Sequence, residues 1–208
     1  MQVIGITGWA GSGKSTVAEY LVKEHGFTRL SFAAPLKKML RTLNPIIGNA
    51  PKWATDRTNL HLNDLFAMVE VSLEGAELST SQAEQEIKES SWGDEYRRLL
   101  QVLGTDCIRA VDPDFWVKAA MAQMTNPGGR YVFDDCRFPN EAEAIETYNP
   151  LGLWNVYRPG YAAINSHASE QWAGCMNEAV VLLNGSDIEG LHDQIDAAVE
   201  LAFDGVAS

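Results

Sequence analysis

Short apolar runs alternate along the chain with segments in which apolar residues recur every three or four positions. The runs are rich in β-branched and aromatic residues, which is typical of buried strands. Five runs are predicted as strands, at residues 2–7, 27–32, 130–135, 152–157 and 179–183. Because helical segments separate most of them, the predicted fold is α/β, with a mainly parallel five-stranded sheet flanked by helices.

The helical segments differ in clarity. Residues 15–25 place four apolar side chains on one face and end at Gly26, a frequent helix C-terminal signal. Residues 35–125 are mostly helical in pattern and are predicted as an insertion within a single domain of residues 1–208. Inside that insertion, the polar and acidic residues 74–91 are predicted to be a mobile excursion.

A glycine-rich segment lies between the first predicted strand and the first predicted helix. Residues 8–15, GWAGSGKS, match the phosphate-binding pattern GxxxxGK[ST]. Glycines let backbone N–H groups turn toward a phosphate, and the helix start adds the positive end of its dipole. The predicted nucleotide-binding residues are Gly11, Ser12, Gly13, Lys14, Ser15 and Thr16. Lys14 is predicted to reach the β- and γ-phosphates of ATP and Ser15 to bind Mg²⁺; a turn that binds nothing is the alternative.

One predicted strand ends in two carboxylates, Asp134 and Asp135. A carboxylate at the end of a strand beside a P-loop holds the Mg²⁺ shell, so at least one of the two is predicted to do so. Neighbouring strand residues point to opposite faces, so the two cannot share this role equally. Arg137 is predicted to clamp the transferring or acceptor phosphate, and an ion pair with Glu141 or Glu143 is the alternative.

Composition narrows the partners. The formal net charge is −12 over 208 residues, which excludes a broad surface for duplex DNA but allows a local anion site. The start of the chain has no basic leader, and no apolar run approaches a membrane span, so a cytoplasmic protein is expected. Cys107, Cys136 and Cys175 lie far apart and are interpreted as reduced thiols rather than metal ligands.

Several motifs in order resemble the phage-type deoxynucleoside monophosphate (dNMP) kinases. They are the P-loop, 31–37 (SFAAPLK), 98–105 (RLLQVLGT), 114–117 (DFWV), 135–141 (DCRFPNE) and 167–170 (HASE). The resemblance implies a three-layer P-loop NTPase fold that uses ATP and Mg²⁺ to convert a dNMP to the diphosphate, in the host cytoplasm if the gene is a phage's. It favours Asp135 for the metal, since Asp135 matches the family's D-x-R-F spacing. The chain departs from the family at Ala34, where an acid is usual, and at Cys107, where an aromatic is more frequent.

The acceptor side follows from this resemblance. Lys37 and Arg98 are predicted to bind the acceptor phosphate, and Gln101, three residues after Arg98, to read the base edge. Weaker candidates for the phosphate are Lys38, Arg41 and Arg97. A solvated helix face is the alternative for all of these cations. Trp92 and Tyr96 either stack on the base or belong to the core.

A short lid is predicted at residues 158–178, in which Arg158 is the only arginine. His167 within it is either a hydrogen-bond donor to the nucleotide or a structural histidine. Transfer to a monophosphate needs no general base, because the attacking oxygen is already anionic near neutral pH. Lys14, Mg²⁺, Arg137 and Arg158 are therefore predicted to supply the catalytic charge.

Other functions stay open at this point. One is a kinase for a hydroxymethylated base within phage DNA, against which the acidic balance counts. Another is an ATP-binding module that controls assembly without catalysis. A third is a different small-molecule kinase, such as one for dephospho-coenzyme A. The sequence also leaves open whether the protein forms a homodimer.

Overall fold

The computed structural model describes residues 1–49, 59–72, 80–161, 172, 176, 178–185 and 187–204. Its strands are β1 (Gln2–Thr7), β2 (Thr28–Leu30), β3 (Ile46–Asn49), β4 (Asn59–His61), β5 (Arg130–Phe133), β6 (Leu153–Tyr157) and β7 (Val180–Leu183). Its helices are α1 (Lys14–His25), α2 (Ala34–Leu43), α3 (Leu62–Ser72), α4 (Thr80–Glu89), α5 (Gly93–Gln101), α6 (Phe115–Met121), α7 (Pro139–Glu146) and α8 (Ile188–Val199). The π-helical segments Val102–Arg109 and Glu200–Asp204 follow α5 and α8. None of the described helices is both long and apolar enough to cross a bilayer.

The chain divides into two compact units. One, here called the P-loop unit, consists of Met1–Ala34 and Trp116–Ser208, and the other, the helical unit, is Pro35–Phe115. The helical acceptor-binding insertion was predicted at about residues 35–125, and its bounds stay a prediction. That both units form a single domain stays a prediction.

The sheet of the P-loop unit contains all five predicted strands. Their order is β2-β5-β1-β6-β7, and every neighbouring pair is parallel. The predicted mainly parallel five-stranded sheet is therefore confirmed. Gly5 of β1 aligns with Phe133, the last residue of β5. The segments that follow β1 and β5, namely the P-loop and Asp134–Asp135, therefore both begin at the carboxyl ends of the strands.

Two buried clusters cover the faces of this sheet. One contains Ile4 and Ile6 of β1 together with apolar residues of α1 and α8. The other contains Val3 of β1 together with residues of α6 and α7. Because alternate residues of a strand point to opposite faces, β1 contributes to both clusters. Helices on both sides of the sheet give the three-layer arrangement that the sequence predicted.

The helical unit has a core of its own. α2, α3, α4, α5 and the β3–β4 hairpin pack together around aromatic and aliphatic residues, of which Phe66 and Tyr96 are among the largest. The two rings meet edge to face, with 6.1 Å between their centroids. Burial raises the pKa of the Tyr96 hydroxyl, and the nearby Glu84 carboxylate raises it further.

The prediction of a mobile excursion at residues 74–91 is wrong for residues 80–89, which form α4. Ala83 and Ile87, four residues apart, are fully buried and give the helix an apolar face. Glu84 lies beside them and is only 7 % exposed. This buried acid breaks the apolar pattern, which is why the sequence did not indicate the helix. Residues 73–79 lie outside the described residues.

The strand β7 forms one edge of the sheet. The side chain of Gln194, from α8, accepts a hydrogen bond from Leu183 N at 2.8 Å and donates one to Leu183 O at 3.1 Å. It therefore uses the same two backbone groups of Leu183 that a further strand would use.

Candidate active site

The P-loop begins where β1 ends and closes at the first turn of α1. Gly8 and Gly13 have φ angles of 136° and 107°, which residues with a side chain rarely adopt. A Cβ atom on Gly8 would also lie 2.6 Å from the carbonyl oxygen of Val156. Gly13 is the N-cap of α1. Since it has no side chain to cap the helix, the first turn presents its N–H groups and its positive dipole end to the loop.

Two cations rest on carbonyl groups of this loop. Lys14 Nζ donates hydrogen bonds to Gly8 O and Trp9 O, both at 2.7 Å. Arg158 Nη1 donates to Gly11 O at 3.3 Å. Both predicted cations thus lie at the P-loop, bound to main-chain dipoles.

Two hydroxyl groups of the loop region point into the protein. Thr7 is fully buried and Ser12 is 1 % exposed. Neither hydroxyl has a hydrogen-bond partner among the described residues. Buried polar groups are normally satisfied, so these two hydroxyls are exceptions within the described part of the chain. Asn184 stabilises the loop, since its Nδ2 donates a hydrogen bond to Ser12 O at 2.8 Å.

The carboxylate of Asp135 binds the segment that follows β2. Its Oδ1 accepts from Phe32 N at 2.9 Å, and its Oδ2 accepts from Ser31 Oγ at 2.6 Å and Ala33 N at 3.0 Å. β2 ends at Leu30 because the backbone groups beyond it turn to this carboxylate instead of a strand. Asp135 therefore holds the segment after β2 against the segment after β5.

The carboxylate of Asp134 has different partners. It forms an ion pair with Arg29 Nη2, and the same nitrogen lies 3.4 Å from Ser15 Oγ. Arg29 Nη1 lies 3.8 Å from Glu19 Oε1, on the next turn of α1. Asp134 and the Ser15 hydroxyl, both predicted to serve the metal, therefore meet the same guanidinium.

The oxygen atoms at this place fit magnesium. Mg²⁺ prefers carboxylate, hydroxyl, phosphate and water oxygens, and in nucleotide kinases it takes only one or two of them from the protein. Ser15 Oγ and the Asp134 carboxylate provide such a pair. No cluster of three or more His, Cys, Asp or Glu that could hold a metal occurs in the described part of the chain. Thr16, predicted to contact the nucleotide, is exposed beside Ser15 on α1.

Arg137 is exposed and precedes α7. The backbone N–H groups of Arg137 and Phe138 both donate to Glu141 Oε2, at 2.8 and 3.1 Å. Glu141 is 2 % exposed and caps its own helix. The role of the Arg137 guanidinium at a phosphate stays a prediction. Cys136 next to it is buried, and burial raises the pKa of its thiol well above the usual value.

The predicted acceptor-side cations all belong to the helical unit, and two of them, Lys37 and Arg98, each pair with an acid there. Lys37 Nζ lies 3.1 Å from Glu84 Oε2, and Lys88 Nζ lies 2.5 Å from Glu84 Oε1. Arg98 donates two hydrogen bonds of 2.7 Å to Glu95, which lowers the pKa of the Glu95 carboxyl.

Two of the weaker acceptor candidates, Arg97 and Arg41, have structural partners. Arg97 binds Asp94 and the carbonyl of Lys88, and the Arg41 guanidinium lies 4.2 Å from the Phe66 ring centroid. Tyr96 is 1 % exposed, so it belongs to the core. Trp92 is partly buried and packs against the core of the helical unit. Lys38, the remaining candidate for the acceptor phosphate, is exposed on α2. Gln101 is exposed at the end of α5.

Most of the predicted lid, including His167, lies outside the described residues. Its described beginning contains Arg158 and Tyr161, with 4.8 Å between the guanidinium carbon and the ring centroid. This cation–π contact lies beside Gly11 of the P-loop, since a Cβ atom there would meet the Tyr161 ring.

Four polar residues of these two regions were missed by the sequence analysis: Arg29, Glu84, Lys88 and Asn184. None belongs to a recognisable motif. Arg29 and Asn184 reach the P-loop unit's site through contacts between residues far apart in the chain. The Glu84–Lys88 pair has the i, i+4 spacing of a helical ion pair and could have been found had α4 been predicted.

The parallel sheet and the P-loop define the chain as a P-loop protein of the kinase type. The family model described as deoxynucleotide monophosphate kinase matches residues 45–195. The chain belongs to this family and is a kinase. The matched stretch does not include the P-loop, so the P-loop geometry and the family match are separate observations.

Two curated relatives align along nearly the whole chain. A protein of Acanthamoeba polyphaga mimivirus, named putative deoxynucleotide monophosphate kinase, is 30 % identical over 97 % of this chain and 98 % of its own length. The deoxynucleotide monophosphate kinase of Enterobacteria phage T4 is 22 % identical over 94 % of this chain and 97 % of its own. The crystal structure of TT1252 from Thermus thermophilus covers 96 % of this chain and 97 % of its own, with a TM-score of 0.42 and 19 % identity, which is too distant to support a conclusion.

Proposed function

We propose that the protein transfers the γ-phosphoryl group of ATP to a dNMP, with Mg²⁺, and releases ADP and the deoxynucleoside diphosphate. One observation carries the proposal. The P-loop, with the N-terminus of α1, and the acidic segment Asp134–Asp135 lie at the carboxyl ends of neighbouring parallel strands. The family supports the phosphate acceptor. The viral origin of both named relatives supports a role in viral nucleotide metabolism in the host cytoplasm.

The donor nucleotide would be held by the P-loop unit. Lys14 exchanges its two carbonyl partners for the β- and γ-phosphates, and Arg158 turns from Gly11 O to a phosphate oxygen. Bound Mg²⁺ would neutralise the phosphates and orient them, with Ser15 and Asp134 as its protein ligands. Asp135 is the second choice for the metal, because its oxygens already accept three hydrogen bonds.

The proposed reaction does not require the protein to transfer a proton. An oxygen of the acceptor phosphate attacks the γ-phosphorus, the bond to the β–γ bridging oxygen breaks, and ADP leaves with that oxygen. The attacking oxygen is already ionised near pH 7, so no side chain has to remove a proton. Catalysis then depends on alignment and on positive charge from Lys14, Arg158 and Arg137.

The acceptor would be bound by residues of the helical unit. Lys37 and Arg98 are proposed to hold its phosphate, which they can do by exchanging Glu84 and Glu95 for phosphate oxygens. Gln101, exposed at the end of the same helix as Arg98, is proposed to read the base edge through its amide.

The proposal is tested by following ADP with ATP, Mg²⁺ and each dNMP in turn, including modified pyrimidine nucleotides. The expected result is ADP release that depends on both the acceptor and Mg²⁺. Release that requires DNA containing a hydroxymethylated base would favour the DNA-kinase alternative. ATP binding without acceptor-dependent ADP release from any substrate would instead favour a nucleotide-binding switch.

A further inference from the structure

Arg29 lies where the metal of the proposed function would bind. Its Nη2 forms the ion pair with Asp134 and lies 3.4 Å from Ser15 Oγ. One positively charged group therefore contacts both of the oxygen-bearing side chains that are proposed to ligate Mg²⁺. A divalent cation at the same oxygens would compete with the guanidinium for the same charge.

The Asp134 carboxylate needs a cation. Its side chain is only 12 % exposed, and a carboxylate so shielded from water is costly without a partner. Arg29 is the cation that the described residues provide to it. When Mg²⁺ arrives, Asp134 keeps a cationic partner, so the exchange of Arg29 for the metal leaves no buried charge unpaired.

A second acid, Glu19, lies close to Arg29. Glu19, one turn after Ser15 on α1, has an oxygen 3.8 Å from Arg29 Nη1, and its side chain is 71 % exposed. The Arg29 side chain itself is 39 % exposed, so a small rotation in solvent can bring the guanidinium to Glu19. Two acids thus lie on either side of one arginine.

We propose that Arg29 is a positioning residue that stands in for Mg²⁺: it holds Asp134 toward Ser15 while the metal is absent and moves to Glu19 when the metal binds. This inference rests on the proposed use of Mg²⁺ and nucleotide. It goes beyond that function because it assigns a role to a residue outside the phosphate-binding motifs.

The test measures the binding of ADP by calorimetry, in EDTA and across a Mg²⁺ titration. Arg29→Met removes the charge and keeps the side-chain length, while Arg29→Lys retains a cation. Arg130→Met is the matched control, since Arg130 begins the adjacent strand β5 at its opposite end and donates to His25 O. Melting curves accompany every variant.

Arg29→Met should weaken ADP binding in EDTA by about tenfold, because the bare Asp134 charge repels the phosphates. It should also lower the Mg²⁺ concentration for half-maximal binding severalfold, since no guanidinium competes. Arg29→Lys should lie near the wild type, and Arg130→Met should match it. Glu19→Gln should raise the Mg²⁺ requirement, because the displaced arginine loses its second acid.

The proposal is overturned if Arg29→Met leaves both quantities unchanged, or if it raises the Mg²⁺ requirement. Should Arg29→Met fail to fold, Glu19→Gln decides, and an unchanged Mg²⁺ requirement in that variant overturns the proposal. Asp134→Asn should abolish the difference that Arg29→Met makes. A protein that binds Mg²⁺ and ADP but phosphorylates no dNMP would contradict the proposed function and leave this test intact.

Discussion

The cations proposed to bind the donor nucleotide and those proposed to bind the acceptor are held in different ways. In the P-loop unit, Lys14 and Arg158 donate to carbonyl groups of the loop itself. In the helical unit, Lys37 and Arg98 pair with the carboxylates of Glu84 and Glu95. A cation that leaves a carbonyl for a phosphate exchanges a dipole for a full charge.

In the helical unit, exchanging the partner of a cation changes the free energy less. A cation that leaves a carboxylate for a phosphate replaces one anion by another, and the carboxylate left behind must find water or another partner. If these proposed roles hold, we expect the donor-side cations to contribute more net binding energy than the acceptor-side ones. We therefore expect substitutions in the P-loop unit to have larger effects on transfer.

Lys14→Ala should have the largest effect. Loss of the charge next to the moving phosphoryl group should reduce transfer about a thousandfold, with the melting temperature nearly unchanged. Steady-state kinetics and a melting curve check this. Lys23→Ala is the control, because that side chain is 81 % exposed on the same helix and should keep full activity. Normal turnover in a folded Lys14→Ala protein would remove the P-loop assignment.

Asp134→Asn and Asp135→Asn should separate within the P-loop unit itself. Asp134→Asn is expected to raise the Mg²⁺ requirement about tenfold. Asp135→Asn is expected to lower stability by about 2 kcal/mol, since its carboxylate accepts from Ser31, Phe32 and Ala33. Mg²⁺ titrations and denaturant curves on both variants distinguish the effects. The reverse pattern would support Asp135 as the metal ligand, as the family's motif spacing indicates.

Glu84→Gln should show how much the helical unit depends on its buried acid. The change leaves two lysines without their carboxylate, so we expect a loss of about 1–3 kcal/mol in the free energy of unfolding. Glu86→Gln, exposed on the same helix, is the control and should lose little. Equal stability of the two variants in denaturant would mean that the ion pairs of Glu84 contribute nothing net.

Arg98→Ala and Gln101→Ala should differ in kind. If Arg98 holds the acceptor phosphate, its loss weakens all four dNMPs about equally, since they share that group. If Gln101 reads the base, its loss changes their ranking, at a cost of about 1–3 kcal/mol for the favoured one. Measured kcat/KM values for the four dNMPs test both. A flat profile for Gln101→Ala at unchanged stability would exclude that residue from the site.

The smallest perturbation compares the two units by thiol labelling. In a Cys175→Ser background, Cys107 of the helical unit is exposed and should react quickly with iodoacetamide. Cys136 of the P-loop unit is buried, and burial together with the Glu141 and Asp135 carboxylates raises its thiol pKa. It should stay unreacted near pH 8.5 until denaturant is added. Mass spectrometry of the labelled peptides measures both rates, and rapid native labelling of Cys136 would contradict this difference.

The sequence predicted what local chemistry determines. The P-loop was visible because its glycines, such as Gly8 and Gly13, and Lys14 must stand at a set spacing for backbone reasons. The five strands were visible because buried parallel strands are continuous apolar runs. β2 and β5 were predicted to run two residues too far, because the segments beyond them are joined by Asp135 rather than by a strand ladder.

The remainder depends on contacts between distant residues. Arg29 and Asp134 are far apart in the chain, and no pattern of spacing indicates that they pair. α4 was missed because Glu84 stands on its buried side, where an apolar residue was expected. The hairpin β3–β4 was missed because its strands are only 4 and 3 residues long. In each case tertiary structure overrides a weak local signal.

The contact between Gln194 and Leu183 has a consequence for the behaviour of the protein at high concentration. Val181 and Leu183 on the outermost strand are 62 % and 49 % exposed, a composition that elsewhere promotes edge-to-edge aggregation. By occupying both backbone groups of Leu183, Gln194 removes the hydrogen-bonding partners that a strand from another molecule would need there. The amide of a single side chain thus protects this part of the edge against self-association that its apolar side chains would otherwise favour.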